Sequence, residues 1–331
     1  MHRIILSVLL ILFFLSACFK EDVALKPYNG VITLIPEPIQ LYQSYFDFET
    51  GRVLTSLPGN TWQLGFECTA EGWHIITNSG GNWFIYNSEQ TVPNELVSMP
   101  TKVDHLYDDP SAFPDSTAVG NWTIISPGGN TYTHNIYLLG HYENGKFKDI
   151  KEVVFLSVDD TSYHFSYKEE LSGLSDTISI IKNDSAGYVY FNFDTQLQVN
   201  AEPNKELWDL AFGPYYDMAT YFGVTIPYLV GGSFINAGYT EAVLDSLNSF
   251  DRIDADMIPD YEFIRQRDIP GYRWKSVTVD VSGGGSATYK VKTDYSYVFH
   301  TAEDHYYKLK FISYTHNGLS GYPQFEFQKL K

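Results

Sequence analysis

The chain contains very little cysteine. Two cysteines, Cys18 and Cys68, occur among 331 residues, and they do not form a CxxC pair. The sequence also lacks HExxH, GxSxG and a glycine-rich phosphate-binding loop. These absences leave no zinc-site, hydrolase or nucleotide-binding motif, so we predict that the protein is not an enzyme. With so few thiols, stability must come from packing rather than from a disulfide framework.

Positive charge is scarce as well. Lysine and arginine number 22 against 40 aspartates and glutamates, which gives a formal net charge of −18. Such a surface repels nucleic-acid phosphates and anionic lipid headgroups. We therefore expect no nucleic-acid partner and no membrane contact other than a covalent lipid anchor.

Long apolar runs are confined to the first residues. MHRIILSVLLILFFLSAC places one arginine before an apolar run, Ile4 to Leu15, that is too short to span a membrane comfortably. This pattern predicts a secretory signal peptide over residues 1–17. Its end, Leu-Ser-Ala-Cys18, matches a bacterial lipobox, in which Cys18 is acylated and becomes the first mature residue. The alternative is an ordinary thiol beside a cleaved terminus.

The residues after Cys18 predict a cellular location. Lys20-Glu21-Asp22 resembles the signal that sends Bacteroidetes lipoproteins to the outer face of the outer membrane. We expect residues 18–38 to form a lipidated tether, because this segment is rich in proline and has no apolar periodicity. Loss of Arg3 with the signal leaves 21 basic and 40 acidic residues, a net charge of −19. The predicted location is the outer membrane, lipid-anchored and exposed at the cell surface.

Aromatic residues are abundant, with 26 Tyr, 22 Phe and 6 Trp. Short runs of period-two alternation, bounded by Gly, Pro, Asn or Asp, recur along the chain and predict an all-β protein of antiparallel strands. Tight turns are expected at 143–145 and 316–318, and a hairpin loop at the three glycines 283–285. One helix is predicted, over residues 240–250, with Thr240 as its cap and Val243, Leu244 and Leu247 on one face.

The chain contains an internal duplication. Residues 188–212 have a second version at residues 44–66: an aromatic pair, an acidic residue with Thr, a polar turn, and a Trp that begins an alternating run. Three more stretches recur in the same order: GNWFIY at 81–86 with GSFIN at 232–236, NWTIISPGGNTY at 121–132 with RWKSVTVDVSGGGSATY at 273–289, and EVVFLSVDDTSYHFSY at 152–167 with YKLKFISYTHNGLSGYPQFEF at 307–327. The conserved order predicts two tandem β domains.

The domain boundary is predicted at residue 175, inside the polar stretch 170–187. The two domains would then be residues 39–175 and 176–331, each long enough to bury its own core. A single enlarged domain remains the alternative.

Histidines and acidic runs give no clear metal site. No pair of histidines has helical ligand spacing. His300 and His305 flank an acidic turn, which is either a solvated hairpin or a metal site. We predict that no metal ion is bound through such clusters.

The motifs together resemble one known family. The Cys18 lipobox, YFNFDT, the WDLAF strand from Trp208, the Trp274 strand with its glycine loop, and the closing YKLKF and FEF are similar to the HmuY family of Bacteroidetes haem-binding lipoproteins. The second half resembles the family best, and the first half resembles a diverged copy. This resemblance implies a fold of two HmuY-like antiparallel β domains with long loops and at most one or two short helices. Haem would be held between the loops by axial His or Met side chains.

The resemblance also implies where the ligands would lie. One ligand would come from the loop before the conserved Trp strand and the other from the loop after it. The loops before the strand, 99–114 and 251–269, offer Met99 and His105 in the first half and Met257 in the second. The loops after it, 126–130 and 280–287, contain no His, Met, Cys or Tyr. Met99 and Met257 are therefore either ligands or apolar contacts under a loop.

Two functions follow as hypotheses. The first is surface capture of haem for iron acquisition, with haem or a haemoprotein and a TonB-dependent outer-membrane receptor as partners. The second is a surface binding module for a glycan, a peptide or a partner protein that has lost haem ligation.

Overall fold

The structure is a computed structural model that describes residues 30–92, 98–169, 177–221, 223–280 and 286–331. The predicted signal peptide, Cys18 and the tether up to residue 29 lie outside the described residues. The triple glycine 283–285 and the predicted cut at residue 175 also lie outside them.

The described part of the chain is built from strands, so the all-β prediction is confirmed. The strands are β1 Val31–Leu34, β2 Tyr42–Asp47, β3 Arg52–Pro58, β4 Leu64–Glu67, β5 Ile75–Thr77, β6 Trp83–Asn87, β7 Thr123–Ile124, β8 Thr131–Tyr132, β9 Ile136–Glu143, β10 Lys146–Val158, β11 Ser162–Glu169, β12 Ile178–Ile181, β13 Tyr188–Asn192, β14 Leu197–Val199, β15 Leu210–Tyr221, β16 Val224–Ile235, β17 Glu241–Asp245, β18 Lys275–Asp280, β19 Ser286–Val291, β20 Ser296–His300, β21 Tyr306–His316 and β22 Leu319–Lys329. The helices are three short 3₁₀ turns, η1 Ser79–Gly81, η2 Phe250–Arg252 and η3 Ala255–Asp260. None of these described helices has the length or the apolar character to cross a membrane.

The strands form two equivalent sets of sheets. One five-stranded sheet has the order β12-β11-β10-β9-β6, and its counterpart has the order β1-β22-β21-β20-β17. One four-stranded sheet has the order β14-β13-β4-β5, and its counterpart has the order β16-β15-β2-β3. A two-stranded ribbon accompanies each set, β7-β8 and β18-β19. The matching orders agree with the duplication in the sequence.

The sets are not the two halves of the chain. Strand β13 pairs with β4, with Tyr190 opposite Gly65. Strand β15 pairs with β2, with Leu210 opposite Phe46. Strand β1 pairs with the last strand, with Val31 opposite Phe327. We call β4 to β14 unit one, and β1 to β3 together with β15 to β22 unit two. Unit one is continuous in sequence and is inserted into unit two.

Equivalent polar contacts hold the corresponding strands in each unit. In unit one, Gln63 donates its backbone N–H to Phe191 and accepts the N–H of Phe193 on its side-chain oxygen, both at 2.8–3.0 Å. In unit two, Asp209 donates its N–H to the carbonyl of Phe46 and accepts the N–H of Phe48 at 2.8 Å. Each contact joins a Trp-led strand to an aromatic strand from the other half of the sequence.

Each unit has its own aromatic core. Trp122, 1% exposed, lies in the core of unit one near Phe155, Tyr163 and Tyr132. Trp274, 0% exposed, stacks on Phe311 at 3.9 Å in the core of unit two. These cores do not coincide with residues 39–175 and 176–331, because Phe46 and Phe48 pack in unit two while Phe191 and Phe193 pack in unit one. The position at which the chain can be divided stays a prediction.

Local predictions have mixed outcomes. The turns at 143–145 and 316–318 are confirmed as hairpin turns, with Asn144, Gly145, Asn317 and Gly318 at positive φ. The helix over 240–250 is wrong, because Glu241–Asp245 forms β17 and pairs with β20. The hydroxyl of Thr240 donates to Asp209 at 3.1 Å instead of capping a helix. Pairing with a neighbouring strand overrides the weak local helix preference.

Candidate functional site

Met99, the first predicted haem ligand, is buried. It is 9% exposed in an apolar cluster with Phe84, Leu106, Ile136 and Leu138. Its methyl group lies 3.4 Å from the position that a Cβ on Gly140 would occupy, so it fills the space left by that glycine. In this arrangement Met99 is a packing residue of unit one.

His105, the second predicted ligand, is exposed. It lies in the loop 98–122 with φ of 61°. Its imidazole has no hydrogen bond, ion pair or ring contact with the described parts of the chain. The next residue, Leu106, is 5% exposed, and its carbonyl accepts the backbone N–H of Ile85 on β6, which fixes the loop on unit one. Both ring nitrogens of His105 are therefore accessible to a ligand.

Met257, the third predicted ligand, lies in η3 and is partly buried. The side chain of Asp254 begins this turn by accepting the N–H of Asp256 at 3.1 Å. Helix η3 precedes the Trp274 strand of unit two, whereas Met99 and His105 precede the Trp122 strand of unit one. The structure thus brings Met99 and His105 into one loop and leaves Met257 in the other unit.

A fourth methionine was missed by the sequence analysis. Met218 lies on β15, is 44% exposed, and its Sδ accepts the hydroxyl hydrogen of Tyr107 at 3.1 Å. Tyr107 lies two residues after His105 in the same loop. Met218 lies on a strand from the second half of the chain, outside the loops around the Trp strands in which ligands were expected. The available signal was the scarcity of methionine, since Met218 is one of four in the sequence.

Aromatic rings support this region. Phe84 makes edge-to-face contacts with Tyr216 at 4.9 Å and with Tyr107 at 6.3 Å, and the two tyrosine rings lie 5.6 Å apart. Tyr216 also donates its hydroxyl hydrogen to Asn82 at 3.3 Å, which holds the hairpin β15–β16 against unit one. We call His105, Tyr107, Tyr216 and Met218 the Met218 patch.

The electrostatics of the patch keep its phenol neutral. Burial, together with the negative charges of Asp217, Asp104 and Asp109, raises the pKa of Tyr107 to about 12. Tyr107 therefore remains a hydrogen-bond donor to Met218 over the physiological pH range. Tyr107 and Tyr216 form the aromatic platform of the patch, with the thioether of Met218 hydrogen-bonded to Tyr107 and the exposed imidazole of His105 two residues before Tyr107 in the loop. Imidazole and thioether are both groups that bind haem iron.

Cavity shape limits how a large ligand could be held. A cavity of about 70 Å³ lies between the two units, which is room for a few water molecules but not for haem. Two surface grooves of about 680 and 740 Å³ are lined mainly by polar side chains. Within the described residues, donors for haem iron are present at the Met218 patch, but a closed apolar pocket of haem size is not.

Four other histidines take part in ion pairs or hydrogen bonds: His74, His164, His300 and His305. His300 lies 2.9 Å from Asp304, and His305 lies 2.8 Å from Glu49. Glu49 also accepts the hydroxyl hydrogen of Tyr307 and contacts Lys329 at 3.2 Å. The described residues contain no group of three or more His, Cys, Asp or Glu side chains placed to hold a metal ion.

Known proteins resemble parts of this chain. The apo HmuY analog of Tannerella forsythia is 9% identical, with coverage of 94% of this chain and 100% of that chain, at a TM-score of 0.25. A putative HmuY-like haem-binding protein from Bacteroides vulgatus is 11% identical, with coverage of 90% and 91%, at a TM-score of 0.23. A putative lipoprotein from Bacteroides fragilis is 18% identical, with coverage of 42% and 80%, at a TM-score of 0.22. These scores are too low to support an argument from shape.

No curated protein matches the chain. The family profile described as HmuY protein matches residues 184–327. The match begins just before β13 and ends within β22, so it contains the aromatic strand, both Trp strands of the second half and the closing hairpin. Over residues 184–327, which is less than half of its length, the chain is therefore similar to the HmuY family.

Proposed function

We propose that this protein is a lipid-anchored surface protein that captures haem at the Met218 patch. One observation supports this site above the others. The exposed thioether of Met218 accepts a hydrogen bond from Tyr107, which lies in the same loop as the exposed imidazole of His105. The strand and the loop come from different halves of the sequence and meet only in the folded chain.

The roles of the residues follow from their chemistry. His105 would bind iron through a neutral ring nitrogen, and Met218 would offer a soft thioether sulfur. The rings of Tyr107 and Tyr216 provide apolar surface for a planar macrocycle. Haem itself supplies an iron atom with axial positions open to such donors.

Met99 and Met257 remain predicted ligands, and their surroundings favour packing roles. Met99 would have to leave a cluster in which it is 9% exposed before its sulfur could reach a ligand. Met257 would bind in unit two, away from the aromatic platform. Adding Met99→Leu to the titration described next tests all four residues together.

The test is a titration of the mature protein with ferric haem, followed by the Soret band. We expect a shifted, saturable band in the wild type, and binding at least about tenfold weaker for His105→Ala or Met218→Leu, which corresponds to about 1.4 kcal/mol. Met257→Leu is the matched control, because it removes a partly exposed thioether from the other unit. Wild-type binding by both His105→Ala and Met218→Leu would exclude the Met218 patch.

The pH dependence separates the two donors. Imidazole accepts a proton near pH 6.5 in an ordinary environment, whereas a thioether does not titrate there. Binding that weakens between pH 7 and pH 5.5 in the wild type, but not in His105→Ala, would assign the iron to His105. An unchanged spectrum with the wild type at every pH would exclude haem capture.

A second candidate function has its own observation. Strand β16 is the outer strand of its sheet, and Val224, Ile226 and Tyr228 on it are 61%, 44% and 57% exposed. An open strand edge with apolar side chains is suited to binding an extended peptide by strand addition. If haem leaves the Soret band unchanged, the glycan-, peptide- or protein-binding module becomes the preferred function. Ile226→Lys should then abolish binding of the partner.

The proposed location and partners rest on the sequence. A lipidated Cys18 would anchor the protein, and Lys20-Glu21-Asp22 would direct it to the outer surface. Haem captured there has to cross the outer membrane, so a TonB-dependent receptor is the proposed recipient.

A further inference from the structure

The cavity between the two units contains a cation without a counter-ion. Arg267 lines this cavity, and its guanidinium carbon lies 3.9 Å from the ring centre of Phe234 and 4.4 Å from that of Phe113. The guanidinium has no hydrogen bond or ion pair with any residue that the structure describes. Aromatic faces attract a guanidinium but cannot accept its in-plane N–H bonds, so those donors remain unused.

Two further donors at the cavity are also unsatisfied. Trp62 is 7% exposed and Tyr215 is 5% exposed, and both line the cavity. The indole Nε1 of Trp62 and the hydroxyl of Tyr215 are buried and have no hydrogen-bond partner among the described residues. An unsatisfied buried polar group costs about 1–3 kcal/mol, so these two buried donors, together with the partly exposed guanidinium of Arg267, favour an acceptor in the cavity. Trp62 belongs to unit one and Tyr215 to unit two.

The acidic group that lines the cavity does not supply that acceptor. Asp108 lines the same cavity, but its two carboxylate oxygens accept the backbone N–H groups of Thr77 at 2.9 Å and Ala118 at 2.8 Å. It lies beyond the 4 Å range of an ion pair with Arg267. Burial also raises the pKa of Asp108 to about 7, which reduces its negative charge near neutral pH.

We propose that this cavity is a binding site for a small oxyanion, held by Arg267, Trp62 and Tyr215 across the junction of the two units. An oxyanion accepts several hydrogen bonds and neutralises the guanidinium, which water cannot do. The volume of about 70 Å³ limits the buried part to a group of a few atoms, such as a carboxylate or a phosphate. This site is separate from the Met218 patch, so it does not depend on haem capture.

The test uses the full mature chain and two probes, sodium acetate and sodium phosphate, at constant ionic strength against sodium chloride. Calorimetry measures binding, and the intrinsic tryptophan fluorescence, to which Trp62 contributes, and the melting temperature report it independently. We expect saturable binding of at least one probe with a rise in melting temperature. Binding of acetate alone identifies a carboxylate site, binding of phosphate alone identifies a phosphate site, and both outcomes support the proposal.

Variants locate the site. Tyr215→Phe removes only one hydroxyl and should weaken binding about fivefold, and Arg267→Met should weaken it by more than about tenfold. Arg265→Met is the matched control, because Arg265 lies two residues away, is exposed, and pairs with Glu241 at 2.9 Å. If Arg267→Met does not fold, Tyr215→Phe and Arg267→Lys decide the question. The proposal is overturned if neither probe binds, which leaves a water-filled cavity, or if Arg265→Met weakens binding as much as the Arg267 variants do.

Discussion

Residues 60–204 should fold by themselves, whereas residues 176–331 should not. The first segment contains every strand of unit one, from β4 to β14. The second segment lacks β1, β2 and β3, which belong to the sheets of unit two. It also contains β13, whose partner β4 would be missing. This expectation differs from the one drawn from sequence, in which residues 176–331 form a complete domain.

The size of the effect follows from four side chains. Ile35, Ile39, Phe46 and Phe48 are each 0% exposed in the core of unit two. Burying one such side chain contributes about 1.5–3 kcal/mol, so the four together contribute about 6–12 kcal/mol. A domain has a total free energy of unfolding of about 5–15 kcal/mol. Removing residues 31–58 should therefore leave unit two unfolded or only marginally stable.

The assay is urea unfolding of each segment, followed by circular dichroism and tryptophan fluorescence. Residues 60–204 should give one cooperative transition that includes Trp122. Residues 176–331 should give none, and should regain one when residues 30–58 are appended after Lys331 by a short linker. This rescue is possible because Val31 lies opposite Phe327, close to the end of the chain. A cooperative transition of residues 176–331 alone, near the midpoint of the full chain, would refute the assignment of β1–β3 to unit two.

Three other predictions concern single sites. Burial raises the pKa of Asp209 from 3.8 to about 7, so the folded state keeps a proton that the unfolded state loses. The free energy of unfolding should therefore fall by up to about 4 kcal/mol as pH rises from 4 to 7. Asp209→Asn should reduce this dependence of stability on pH in urea unfolding, and an identical dependence in both proteins would contradict the prediction. A Cβ on Gly80 would lie 2.2 Å from the carbonyl oxygen of Pro214 on the other unit, whereas one on Gly128 would meet nothing within 4 Å. Gly80→Ala should thus cost at least about 2 kcal/mol in the same measurement while Gly128→Ala costs little, and equal effects would argue against this contact. Cys18→Ser should release the protein from the membrane fraction. Replacing Lys20-Glu21-Asp22 by alanines should keep the lipid anchor but protect the protein from protease added to intact cells. If this triple variant is as sensitive to protease as the wild type, the three residues are not an export signal.

Sequence pattern was sufficient for the fold class but not for the strand partners. Alternation of aromatic and polar residues marks Phe46 and Phe48, and equally Phe191 and Phe193, as strand residues. It does not distinguish WQLGF from WDLAF as their neighbour, because both Trp-led strands offer a similar apolar face. Which of the two strands pairs with each aromatic strand depends on long-range packing, and a local sequence pattern contains no information about that packing. The same limit explains why residues 81–86 were matched to residues 232–236, which lie at the end of β16. In the two five-stranded sheets, the strand equivalent to β6 is β17.

The candidate site was only partly predictable for a related reason. His105 was found because the loop before the Trp122 strand was searched for donors. Met218 was not found, because its proximity to Tyr107 depends on the hairpin β15–β16 reaching across to unit one. The Arg267 cavity gave no sequence signal at all, since its donors come from residues 62, 215 and 267 and the missing counter-ion is visible only in three dimensions.

The insertion of unit one into unit two has a consequence for the order of folding during synthesis. As the chain emerges from its N-terminus, β2 and β3 appear long before their partners. Phe48, which follows β2, donates its N–H to Asp209, 161 residues further along the chain. Glu49 contacts Lys329, 280 residues further along. Unit one can be completed as soon as β14 has emerged, while the aromatic hairpin before it is still without a sheet. Contacts so distant in sequence form slowly, and exposed strands promote aggregation in the interval. We therefore expect the newly synthesised protein to pass through a state with one complete unit and an unpaired, aggregation-prone N-terminal hairpin, which chaperones would have to shield until the last strand is available.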